Sequence, residues 1–71
     1  MDIEYVAITS WRSTKDNIRA MRRLYVRTLR SEGVRTRLHV GRLRKGIPVV
    51  EVQVHVDDLK KARVVIAGQE S

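Results

Sequence analysis

Residues 3–9 crowd β-branched and aromatic types together, with apolar side chains on both faces of an alternating pattern. This predicts a first strand that has neighbours on one side and cover on the other. The polar run Thr9, Ser10, Ser13 and Thr14 interrupts it. Ser13 followed three residues later by Asp16 resembles a capping box, so a helix is expected to start there. At ~100° per residue, Ile18, Met21, Leu24, Tyr25, Thr28 and Leu29 fall within an arc of ~140°, and Lys15, Arg19, Arg23, Arg27 and Arg30 within another of ~120°. The helix is two-faced, and Gly33 is its expected left-handed terminator after Ser31 or Glu32.

From residue 34 to 40 the alternation is strict, with Val34, Thr36, Leu38 and Val40 on one face and Arg35, Arg37 and His39 on the other. Val50, Val52, Val54 and Val56 then alternate with Glu51, Gln53 and His55, after a Pro48 that suits a strand's first position. Keeping apolar faces together demands an even register sum. The register that sets Val40 opposite Pro48 puts Leu38 by Val50 and Arg37 by Glu51. Asp57 or Asp58 is expected to cap a last helix in which Leu59, Ala62, Val65 and Ile66 share a face, with Gly68 as its stop. The order β-α-β-β-α predicts a single small α+β domain over residues 1–71. Its three-stranded antiparallel sheet is ordered 2-3-1, both helices lie on one face, and the whole is a truncated ferredoxin-like unit. Its first strand then has a bare edge, and a homodimer formed through that edge or through the sheet face is expected.

Composition sharpens this picture. With 42% hydrophobic and 32% charged residues and a single proline, the 71-residue chain reads as folded and not as disordered. A core this small is marginal alone, and no cysteine is present to stiffen it with a disulfide or a thiolate zinc site. The longest apolar run is far short of the roughly 18 residues a membrane span needs, and no signal peptide is visible, so a cytoplasmic protein that does not engage membranes is expected.

The net charge of +7 is unevenly spread: residues 12–45 carry +10 and the remainder −3. Most of the basic residues are Arg, whose planar fork matches phosphate geometry. Catalytic chemistry has few candidates. His39 and His55 lie about six residue steps apart under the expected register, or about 20 Å, too far to share a metal. No phosphate-cradling glycine loop opens a helix, and Asp57 with Asp58 reads as helix capping. No enzyme activity, cofactor or metal is expected.

The stretch Leu29-Arg30-Ser31-Glu32-Gly33-Val34, the valine-rich strand and Val56-Asp57-Asp58-Leu59-Lys60-Lys61-Ala62 together resemble small prokaryotic signal-transducing domains of ferredoxin-like shape. The resemblance covers roughly residues 21–67. It implies a fold; the Arg-loaded first helix and the basic hairpin tip are not features of that family.

The exposed side of the first helix is the functional candidate. Arg19, Arg23 and Arg27 follow each other four apart. Like charges at that spacing cost about 0.2–0.5 kcal/mol per pair where Glu–Lys pairs would gain as much. An anion would relieve them. Lys15, Arg19, Arg23, Arg27 and Arg30, with Arg42, Arg44 and Lys45 at the hairpin tip, are therefore the expected contacts to a nucleic acid, DNA or RNA, with Leu43 a candidate apolar wedge. An acidic protein docking on the same face is the alternative partner, and a merely solvated face the plainest reading. Tyr25 and Trp11 are expected to pack on the core. The third strand offers no aromatic for base stacking, so contact would run through phosphate.

Overall fold

The structure, a computed structural model, describes residues 4–42 and 46–70. Strand β1 (Tyr5–Arg12) leads into one continuous helix made of α1 (Lys15–Met21), a π turn (Arg22–Val26) and α2 (Arg27–Ser31). Strands β2 (Thr36–Arg42) and β3 (Pro48–His55) follow, then a 3₁₀ turn (Val56–Asp58) and helix α3 (Leu59–Glu70). The sheet is antiparallel in the order β1-β3-β2, as the order of elements predicts. Met21, Leu29, Val34, Val50, Val52, Val54 and Ala62 are buried together, so the valine face of β3 receives both helices. The result is a two-layer slab of 33 × 32 × 17 Å.

Four local expectations are corrected. The helix is capped by Thr14, whose hydroxyl accepts from the Asn17 N–H at 3.1 Å, and not by a Ser13–Asp16 box. The β2–β3 register is offset by two: Val40 faces Val50, Leu38 faces Val52, Arg37 faces Gln53 and Arg42 faces Pro48. Alternation fixes only which face a residue takes, and a slide of two preserves it. The slide places His39 opposite Glu51, four steps from His55, so the two imidazoles lie about 14 Å apart along the ladder. Asp57 and Asp58 do not cap α3; its entry is a 3₁₀ turn in which the His55 Nδ1 accepts from the Asp57 N–H. Nor does Gly68 stop α3, which runs on to Glu70.

The junction between the first helix and β2 shows why the strand begins at Thr36 and not at Val34. Gly33, at φ +82°, ends the helix as expected. The Gly33 N–H donates to the Arg30 carbonyl and the Val34 N–H to that of Leu29, a paired closure that leaves Val34 buried. The next amide, that of Arg35, donates to the Asp58 carboxylate at 2.9 Å, and the Arg35 guanidinium grips the same carboxylate at 2.9 and 3.3 Å. Asp58 thus ties the start of β2 to the entry of α3.

These bonds, first the Arg35 side chain and then its backbone N–H, hold the Asp58 carboxyl well below its ordinary 3.8, at about 2. Because the folded state lowers this value, the latch contributes fully above about pH 4 and is lost as pH falls toward 2. Thermal melts between pH 2 and 5 are expected to show a falling midpoint for the native chain and a flatter profile for Asp58→Asn.

Candidate functional site

The π turn determines how the basic residues are presented. Its hydrogen bonds run to the fifth residue back, as from the Arg27 N–H to the Arg22 carbonyl, so each residue advances less than the ~100° of an α-helix. Everything after Arg22 lags behind the ideal wheel. Val26, which an ideal wheel places among the basic residues, turns into the core at 6% exposure, while Leu24, expected at the far edge of the apolar arc, stands 45% exposed. The Leu24 carbonyl within this turn accepts from the Gln69 side-chain amide at 2.9 Å, a bond from α3 that braces the irregular turn.

The same lag gathers charge. Arg22 and Arg27 become neighbours across one π turn, and Arg30 is drawn toward them. All three line an open cleft of about 540 Å³ against the β2 edge, with Val26 and Leu38 as its apolar floor and Arg37 at its margin. A second cleft of about 250 Å³ is lined by Lys15, Ile18, Arg19 and Arg22. Arg22 belongs to both, so the two form a basic band along the helix with no carboxylate among their lining residues.

The predicted residues therefore separate. Lys15, Arg19, Arg27 and Arg30 lie along this band. Arg23 is exposed but lines neither cleft. Arg42 sits at the base of the β2–β3 connection, where its guanidinium donates to the Gly46 carbonyl at 3.2 Å. Arg44, Lys45 and Leu43 lie outside the described residues. Arg22 was missed because on an ideal wheel it falls beside Ile18, at the rim of the apolar face. No signal in the sequence marks the π turn that brings it to the centre of the band.

Internal partners decide how much charge remains available. Among the described residues the carboxylates beside a basic group are Asp58, paired with Arg35, and Asp57, beside the His55 ring, and neither contact involves the first helix. Arg30 donates through Nε and an NH₂ nitrogen to the Thr36 carbonyl at 3.3 and 3.0 Å. The odd-numbered residues of β2 bond to β3, as the His55 N–H to the Arg35 carbonyl shows, so Thr36 turns its backbone to the free edge. Arg30 therefore seals part of that edge. Its charge remains exposed, since a carbonyl does not neutralise it.

The outer sheet face is less open to ligand than its composition suggests. The Arg37 guanidinium stacks 4.1 Å from the Tyr5 ring centroid and donates to Gln53, whose amide in turn donates to Glu51. Tyr5 also meets His55 edge-on at 5.5 Å. Trp11 and Tyr25 meet edge-to-face at 5.7 Å against the core, as expected of them. Among the described residues no group of three or more His, Asp or Glu is placed to hold a metal ion, and no helix is long and apolar enough to cross a membrane.

The fold and the band thus define a small α+β protein with an arginine-rich helix face. Comparison with family models, curated proteins and solved structures finds no match to the chain.

Proposed function

We propose that this chain is a non-enzymatic, cytoplasmic nucleic-acid-binding protein of truncated ferredoxin-like shape, which grips the phosphate backbone of DNA or RNA along its first helix. The observation that carries this reading is that Arg19, Arg22, Arg23 and Arg27 are exposed and joined to no carboxylate among the described residues. A helix used only for solubility gains from interspersed acids; this one keeps four guanidinium groups unneutralised within three turns. Lys15 and Arg30 extend the band, and the chain's further positive charge includes Arg42, Arg44 and Lys45. The planar fork of each arginine suits a phosphodiester oxygen pair.

Binding of this kind is dominated by counterion release. Five phosphate contacts give a fall of up to about 4.5 decades in affinity per tenfold rise in salt on duplex DNA. Titration of labelled DNA and RNA at two salt concentrations is expected to show that steep dependence with little sequence preference. Absence of binding to either at low salt would end this reading and turn attention to an acidic protein as the band's partner.

A further inference from the structure

The free edge of β1 is self-complementary, and the reason is the irregularity within it. The Val56 N–H donates to the Glu4 carbonyl and the Ser13 N–H to the Pro48 carbonyl. The register then makes Val6 and Trp11 the residues that bond to β3, and leaves the backbones of Tyr5, Ala7, Ser10 and Arg12 pointing away from the sheet. Between Ala7 and Thr9 the register shifts, so that Ile8 and Thr9 together oppose Val52. The outward residues 5, 7, 10 and 12 are consequently spaced along the edge as in an unbroken strand, although the chain between them has one residue too many.

We infer that β1 pairs with β1 of a second copy of this chain, antiparallel about a two-fold axis at the Ile8–Thr9 bulge. Tyr5 then faces Arg12 of the other copy and Ala7 faces Ser10, with both halves of the ladder in phase. Without the bulge, the pairing of residue 5 with residue 12 would set inner faces against outer ones. With it, Tyr5, Ala7, Ser10 and Arg12 all keep to the outer sheet face and Val6 and Trp11 to the core side. The Arg12 carbonyl is already taken by the Thr14 N–H and the Asn17 amide, so the ladder ends on the Arg12 N–H.

A further observation favours a second copy as the occupant. On the core side, an open groove of about 380 Å³ runs between β1 and α3, lined by Val6, Ile8, Leu59, Ile66 and Ala67 with Arg63 at its margin. The two-fold axis sets groove beside groove, and the extended sheet closes over both.

Light scattering is expected to show a mass rising with concentration from one chain to two. Ala7→Pro removes an edge donor and no bond of the β1–β3 ladder, and is expected to raise the dissociation constant at least tenfold with an unchanged circular-dichroism spectrum. The chain has no native cysteine, so cross-linking reads the register directly. Under oxidation, Ala7→Cys mixed with Ser10→Cys should give a disulfide-linked pair, because directly opposed, hydrogen-bonded residues sit about 5.5 Å apart. Either variant alone should not. A mass of one chain at the highest concentration, or self-linking of Ala7→Cys as efficient as the mixture, overturns the proposal; the cross-link decides it even where Ala7→Pro fails to fold. Added salt should strengthen this association, since each copy carries +7, whereas it weakens nucleic-acid binding, so the two readings fail separately.

Discussion

Reversing charge at Arg22 and Arg27 together is expected to lower affinity for nucleic acid by about a hundredfold or more at roughly 0.1 M salt, since each lost phosphate contact removes about 0.9 from the salt slope and hence close to one decade at that concentration. Both residues are exposed and line the larger cleft, and neither is held by a carboxylate among the described residues. Arg22→Glu with Arg27→Glu should therefore leave the fold, and its circular-dichroism spectrum, intact. The relevant measurement is the slope of log affinity against log salt, which should fall by about two for the pair. Arg23→Glu changes the net charge as much as either single substitution but lies outside both clefts, so its effect should be the smaller. Equal losses from Arg22→Glu and Arg23→Glu would mean that overall charge, and not the band, holds the ligand.

The largest effect on stability is expected inside the π-turned helix. Met21 and Leu29 are fully buried against the valines of β3, and truncating either to Ala should cost about 2–5 kcal/mol through lost burial and the cavity left behind. Leu24→Ala, at a position the ideal wheel places on the same apolar face, should cost clearly less, because that side chain is already 45% exposed. Urea unfolding of the three variants compares them directly. A loss at Leu24 matching that at Leu29 would show that the helix runs as a regular α-helix and that the π turn is not populated. In a chain this small, a loss of that size is a large share of total stability.

Much of the architecture is legible from short-range pattern. The valines at 50, 52 and 54 and the alternation of residues 34–40 mark two half-buried strands, and the glycine at 33 marks a left-handed helix end. The order of elements then leaves few sheet arrangements open, and the observed β1-β3-β2 order is the expected one. Other features escape such reading for identifiable reasons. The β2–β3 register is ambiguous by two because a two-residue slide changes no residue's face. Asp58 looks like a cap from sequence because the partner that claims it, Arg35, lies 23 residues away. The candidate band shows both sides of this: the Arg spacing exposes Arg19, Arg27 and Arg30, but only the π turn adds Arg22 and sets Arg23 aside.

The sequence by itself determined which face of each element is apolar, where the first helix ends and that positive charge collects on one side of it, since these follow from side-chain chemistry and period alone. The tertiary structure decided the phase of that helix beyond Arg22, the strand register and the in-phase outer edge of β1. Each of these depends on where a backbone hydrogen bond is made, or displaced by one residue or two. That choice is settled by packing against distant parts of the chain and leaves no mark on the local pattern.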